Sequence, residues 1–373
     1  MLLKKLLEDI PRIKVEGDTD LDISGITHDS RKVKKGNLFI CLPGSRTDGH
    51  EYINEAVSRG AAAVLMQEKH TASRCITAIK TKDPRRIISR LAAKYYGYPS
   101  RSLRLTGVTG TNGKTSTTHF IDRILSHTGP TGLIGTISYK IGSIRRPVEA
   151  TTPEASTLQE IFREMVDHNV RYCTMEVSSH ALALNRVDDC DFNVAVLTNI
   201  TEDHLDFHKT FNNYLKAKAA LFKKLVAKQG NYAIINNDDS NAAYIKRVVS
   251  AETVTYGIRN QAQVKAEAVE IKPGGVSFVI KSWADSFSVN MQISGLFTVY
   301  NALAAIALGL KEGIAAPVIK EALEKIPCIP GRFEQVQEGQ DFYVIIDYAH
   351  TPDGLENILF STRQFCDKKI ITV

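Results

Sequence analysis

Residues 103–125 read LRLTGVTGTNGKTSTTHFIDRIL, and this stretch decides the fold. A short apolar run, Leu103 to Val108, enters a glycine-rich turn; Phe120, Ile121, Ile124 and Leu125 then recur at helical spacing. The order is strand, loop, helix. The loop Gly110-Thr111-Asn112-Gly113-Lys114-Thr115 carries what a triphosphate requires. Its glycines let backbone N–H groups close on phosphate oxygens, and the helix N-terminus presents partial positive charge to them. Lys114 is expected at the β- and γ-phosphates, and the Thr115 hydroxyl at Mg2+. One position departs from the usual G-x-x-x-x-G-K-[ST] spacing: Val108 stands where glycine is asked for, with Gly107 one place early. A lone Gly-Lys-Thr also suits an ordinary strand-to-helix turn, but the flanking strand and amphipathic helix favour nucleotide binding.

Outside this stretch, 373 residues are too many for one typical core and suggest two or three domains. Hydrophobic and charged fractions of 43% and 24% are those of a globular protein, and no apolar run is long enough to insert in a membrane. The opening MLLKKLLEDI puts Leu2, Leu3, Leu6, Leu7 and Ile10 on one helical face, with no small-residue cleavage site after it. It reads as a helix and not a signal peptide. Cys41, Cys75, Cys173, Cys190, Cys328 and Cys366 show no C-x-x-C spacing, so neither a zinc site nor a disulfide framework is expected, and a reducing cytoplasm fits. The net charge of +6, from 47 basic and 41 acidic residues, is too balanced for nucleic acid and suits an anionic small molecule.

The expected fold class is α/β: a small mixed domain at 1–100, a central doubly wound mononucleotide-binding sheet at 101–330, and the start of a third, Rossmann-like domain at 331–373. In the first, Leu38–Leu42 and Ala62–Met66 read as strands, with turns at Asp29-Ser30-Arg31 and Ser45 to His50 that suit Asx-turns and caps. In the second, a strand is expected near Gly132 to Tyr139, and Thr152 is placed to cap a helix with Pro153 at its first position. Strands then end at Glu176-Val177-Ser178-Ser179-His180 and at Thr201 to His208, so three loops converge outside the carboxyl ends of one parallel sheet.

Glu176 is either a second Mg2+ anchor or a satisfied polar residue at a sheet edge, and the loop at 110–115 favours the anchor. His204 and His208 lie four apart, but Leu205 replaces the glutamate of H-E-x-x-H, which argues against zinc proteolysis. The helix around FNNYLKAKAALFKKLVAK has lysines that read as a solvated face. Near the end, VIIDYAHTPDGLENIL reads as a buried strand reaching Asp347 and a helix capped by Thr351 with Pro352 first; KKIITV reads as the next strand of a third domain lacking most of its length.

The stretches THDSRKVKKGNLFICLPGSRTDGH, GVTGTNGKTST, EATTPE, MEVSSHAL, TNITEDHLDFHKTFNNYLKAKAALF, PGRFE and IIDYAHTPDGLE together resemble the Mur ligase family across the whole chain. The Thr151-Thr152-Pro153 and DHLDFH stretches look like the branch that adds the third amino acid. This resemblance implies an ATP-dependent, amide-bond-forming ligase of peptidoglycan synthesis. It would extend UDP-N-acetylmuramoyl-L-alanyl-D-glutamate with a diamino acid, meso-diaminopimelate ahead of L-lysine, through an acyl phosphate.

The resemblance also implies roles for single residues. Lys114, Glu176, His204 and Lys218 are the catalytic set. ATP falls to Gly110, Thr111, Asn112, Gly113, Lys114, Thr115, Ser116, Asn301, Arg332 and Asp347. Metal falls to Thr115, Glu176, His204 and Lys218, the last as a CO2-derived carbamate, which turns a repelling ammonium into an anion able to hold Mg2+. The uridine-nucleotide substrate falls to Ser30, Ser45, Arg46, Thr47, Thr151, Thr152, Ser178 and Arg186. Leu184 stands where some members carry glutamine, and the family's amino-acid-selecting Asp-Asn-Pro-Arg motif does not occur in these residues. A cytoplasmic monomer without nucleic-acid partners is expected. Among rivals, a folylpolyglutamate-type synthetase lacks a counterpart to ISGITHDSR, a P-loop switch protein would need N-K-x-D, and a binding module without turnover would differ by showing no ATP cleavage.

Overall fold

The structure is a computed structural model that describes residues 1–44, 47–71 and 76–373. The chain packs as two compact units, one of Met1–Leu103, Pro153–His168 and His180–Cys190, the other of Arg104–Thr152, Asn169–Ser179 and Asp191–Val373.

The first unit holds a five-stranded sheet of β1 (Ile13–Glu16), β2 (Gly25–Thr27), β3 (Asn37–Ile40), β4 (Ala63–Gln67) and β5 (Thr77–Thr81). Its order is β1-β5-β4-β3-β2, parallel except for β1. β3 and β4 are continuous apolar runs because both faces are covered. Asp29 accepts from Arg31 N at the first expected turn, and Asp48 accepts from His50 N in the described part of the second, each opening a short 3-10 turn; Ser45 and Arg46 lie outside the described residues. Helix Ala155–Asp167 packs against helix Arg85–Tyr95, and Glu154 pairs with Arg85 (3.3 Å) and Arg186 (2.7 Å). Stretches remote in sequence thus join one core.

The second unit is built on eleven strands: β6 (Arg104–Thr109), β7 (Thr131–Ile134), β8 (Tyr139–Ile141), β9 (Ile144–Arg146), β10 (Tyr172–Glu176), β11 (Val194–Leu197), β12 (Tyr232–Asn236), β13 (Glu252–Gly257), β14 (Val264–Lys272), β15 (Gly275–Ser282) and β16 (Ser286–Met291). Their order is β16-β15-β14-β13-β12-β11-β6-β10-β7-β8-β9. The run from β14 to β7 is parallel, with antiparallel hairpins at both ends. From β6 the chain goes to one side through β7 and β10 and to the other through β11, so its carboxyl end is a topological switch point. Helix Lys114–Leu125 buries Phe120, Ile121, Ile124 and Leu125, as their spacing predicts, against the alanine-rich helix Leu296–Lys311.

Four expectations need correction. The single strand near 132–139 is the hairpin β7–β8, broken where residues 135–138 turn past Glu176. Thr152 caps no helix: the helix starts at Ala155 after Glu154, and the Thr152 hydroxyl donates instead to the Glu176 carbonyl (2.8 Å). The strand before Asp347, β18 (Val344–Ile346), pairs antiparallel with β17 (Glu334–Val336) and is not buried, Val344 and Ile346 being 37% and 50% exposed. Residues 368–373 form no strand, since apolar alternation needs a ladder partner and they have none here. Helix Pro352–Arg363 is capped by Thr351, whose side chain accepts from Gly354 N.

Candidate functional site

β6 hands the chain to the loop 110–113, and the helix begins at Lys114. Both loop glycines are required by close neighbours. A Cβ on Gly110 would lie 1.8 Å from Thr198 Oγ1, and one on Gly113, whose φ is +82°, 2.3 Å from Asn301 Oδ1. The irregular spacing upstream also has a reason: Val108 is core, and Gly107 makes room for the Phe192 ring. The Asn112 N–H donates to Asn199 Oδ1 (2.9 Å), and its carbonyl accepts from Thr198 Oγ1 (2.6 Å) and Asn199 Nδ2 (3.1 Å). Lys114 Nζ donates to the carbonyls of Gly110 (3.0 Å) and Thr111 (2.8 Å). Burial lowers its pKa, partly opposed by the Glu176 charge.

Register sets Glu176 level with Val108 on neighbouring strands, and β10 is internal, between β6 and β7. Glu176 is therefore not on an edge strand, though its carboxylate is satisfied by protein donors. Its Oε2 accepts from Thr115 Oγ1 (3.1 Å) and Thr136 Oγ1 (3.1 Å), its Oε1 from the Thr136 N–H (2.8 Å), and it is 1% exposed. A hydroxyl and a carboxylate converging in a buried place are hard oxygen donors, a set that fits Mg2+. Arg332 Nη2 donates to the same Thr115 hydroxyl (2.9 Å), which brings the Pro330–Glu334 turn to the loop. Asn301 accepts from Thr117 Oγ1 (3.2 Å), and the Asp347 carboxylate accepts from the N–H groups of Phe333 and Ala349 (both 2.7 Å). Burial raises the Asp347 pKa.

The helix Phe211–Lys223 separates its lysines in a way periodicity does not reveal. Lys216 and Lys223 are exposed, whereas Lys218 is 1% exposed. Lys218 Nζ donates to the Gly110 carbonyl (2.7 Å) and lies 4.5 Å from the Tyr214 ring centroid. Burial, then the nearby Lys114 charge, press its pKa well below the ordinary lysine value. Tyr214 OH meets Thr111 Oγ1 at 2.9 Å. His204, in a left-handed conformation at φ +53°, contacts Asp203 (Nε2 to Oδ2 3.3 Å), and burial lowers its pKa. His208 is buried with its ring edge-on to Tyr214.

Among the residues expected at the uridine nucleotide, Ser45 and Arg46 lie outside the described residues. In the first unit, Ser30 is buried and donates to Glu55 Oε2 (2.9 Å), Thr47 is exposed, and Arg186 pairs with Glu154. In the second, Thr151 meets the Thr136 hydroxyl (3.1 Å), and Thr152 accepts from the Ser178 N–H (3.1 Å). Thr115, Glu176, Thr136 and Thr151 thus form one chain of contacts. Among the described residues, one His/Asp cluster brings three ligand atoms within 4.8 Å, those of Asp48, His50 and His70. His50 Nε2 accepts from the Gln67 N–H (2.9 Å), which puts its proton on Nδ1 towards Asp48 and leaves no ring lone pair for a metal.

Sequence reasoning missed Thr136, Thr198, Asn199 and Tyr214. Thr136 was hidden inside a presumed strand; Tyr214 precedes Lys218 by four, which on a helix makes them neighbours and was a usable signal.

Family models match three stretches: "Mur ligase family, catalytic domain" at 22–96, "Mur ligase middle domain" at 108–309 and "Mur ligase, glutamate ligase domain" at 331–373. The UDP-N-acetylmuramoyl-L-alanyl-D-glutamate–2,6-diaminopimelate ligase of Syntrophomonas wolfei is 46% identical over 99% of this chain and 76% of its own length. That of Geobacillus thermodenitrificans is 43% identical over 100% and 77%. A solved structure of a ligase of the same name superposes with a TM-score of 0.79 at 26% identity, over 98% of this chain and 74% of that one. A MurF ligase of Thermotoga maritima in complex with ADP shares the fold, with a TM-score of 0.70 at 20% identity over 92% of this chain and 75% of that one.

Proposed function

The chain belongs to the Mur ligase family, and from that premise we propose that it extends UDP-N-acetylmuramoyl-L-alanyl-D-glutamate with meso-diaminopimelate in peptidoglycan synthesis, at the expense of ATP. Residues 1–100 serve the uridine end of the substrate, and 101–330 hold ATP and offer loops to the sugar and peptide. The same reading makes it a cytoplasmic monomer. The observation that carries it is the pairing of Thr115 and Glu176 beside the Lys114 loop, an oxygen site where Mg2+ and triphosphate chemistry meet.

In this reading the substrate carboxylate attacks the γ-phosphorus, the bond to the β-phosphate oxygen breaks, and ADP leaves. The amine of the diamino acid then attacks the acyl phosphate carbon, loses a proton, and inorganic phosphate departs as the amide forms. Such transfer is mostly positioning and charge neutralisation. Thr115 and Glu176 would hold Mg2+, which would supply part of that neutralisation. Lys114 adds a point charge at the loop, Arg332 and Asn301 border the nucleotide, and Asp347 holds the turn that carries Arg332. Lys218, as a carbamate, and His204 would supply a second group of metal donors. Thr151, Thr152, Ser178 and Arg186 contact the sugar and peptide.

Mass spectrometry of the uridine nucleotide after incubation with MgATP and equal meso-diaminopimelate and L-lysine tests the reading. A mass gain of one diaminopimelate residue is expected. No gain with either amino acid sinks the ligase, and a lysine adduct sinks the choice of substrate.

A further inference from the structure

We propose that Asp353 is a positioning residue for the nucleotide, holding the phosphate loop from the first turn of helix Pro352–Arg363. The inference rests on the ATP-site reading above and adds a residue that reading does not use.

Asp353 Oδ2 accepts from Asn112 Nδ2 at 2.7 Å and from Thr201 Oγ1 at 3.3 Å. One carboxylate oxygen therefore gathers donors from two of the site's loops. The approach is close on independent grounds as well, since a Cβ on the next residue, Gly354, would lie 3.6 Å from Asn112 Oδ1. An acid in a first helical turn often does no more than face the helix dipole. Asp353 differs because its oxygen is spent on the loop.

Asn112 is the residue whose placement matters. Its N–H and carbonyl are already committed to Asn199 and Thr198, so the side chain is the remaining point of attachment at the tip of the loop. Thr201 is tied to the same loop from the other side: its N–H donates to Thr111 Oγ1, and the Thr111 hydroxyl donates to its carbonyl (both 3.0 Å). Asp353 closes this frame. A loop held in its binding form loses less freedom when phosphate arrives, so Asp353 acts on nucleotide affinity without touching the nucleotide.

The test measures binding of MgADP and, separately, of UDP-N-acetylmuramoyl-L-alanyl-D-glutamate by calorimetry, with amide hydrogen exchange of the free protein. Asp353→Ala is expected to weaken MgADP about tenfold, the size of one lost charge-assisted hydrogen bond, with uridine-nucleotide affinity unchanged. Exchange at 110–115 should rise in the same variant. Asp353→Asn keeps an oxygen acceptor and should stay within about threefold of the parent chain. Wild-type MgADP affinity in Asp353→Ala overturns the proposal, as does an Asn variant as weak as the Ala variant, or equal loss of both ligands. A parent chain that binds no MgADP sinks the ATP-site reading itself, a result distinct from these.

Discussion

Lys218 and Lys114 approach the same carbonyl, that of Gly110, from two helices, and two ammonium groups there would repel each other. Burial lowers the pKa of both amines, and the more deeply buried Lys218, which also faces the Lys114 charge, is pushed down further. As a carbamate it would carry negative charge beside Lys114 and the metal donors, which converts repulsion into attraction. Lys218→Ala should lower ligation by roughly a hundredfold or more, the scale of removing a transition-state electrostatic group, and acetate or formate should restore part of it. Initial rates with and without the acid decide the matter, and a variant at parental rate removes the role. Lys114→Ala should leave no ATP-dependent product. Lys114 was legible from its loop motif, whereas Lys218 was assigned only through family resemblance, because the difference between Lys218 and Lys216 is one of burial. Tyr214 decides it by occupying the space under the amine.

The segment from β6 through helix Lys114–Leu125 was legible because three signals coincide in it: a continuous apolar strand, glycines at the turn, and apolar residues at helical spacing. The hairpin β7–β8 was not, since nothing local says that Gly135 and Thr136 must turn past a carboxylate forty residues on. Thr152 failed for a similar reason. Cap chemistry and a long-range bond to the Glu176 carbonyl use the same hydroxyl, and the tertiary bond won. The phosphate-loop helix also holds a titratable residue with no counterpart in that reading. Burial pushes the His119 pKa down to about 4. An unfolded imidazole titrates at about 6.5, so between the two values the unfolded chain binds more protons and stability falls as pH drops through that window. His119→Gln should lose less melting temperature than the parent chain between about pH 7 and about pH 4.5. Thermal unfolding by circular dichroism measures it, and equal slopes would falsify the assignment.

At the scale of the molecule, strand and helix order suggested where domains change, but not that 153–168 and 180–190 pack with the first hundred residues. Periodicity reports which face of an element is apolar and not which core receives it. Glu154 is a joint of that first unit, paired with Arg85 and Arg186, with all three side chains 15–17% exposed. A pair at that depth lies between a surface ion pair and a buried one, so Glu154→Ala should cost about 2 kcal/mol. If the three stretches are one cooperative unit, hydrogen exchange should rise together in 85–95, 153–168 and 180–190 while β6 and the helix Lys114–Leu125 keep their protection. A rise confined to the residues beside 154 would show that the stretches open separately. An equal rise in the phosphate-loop helix would mean that the two units unfold as one.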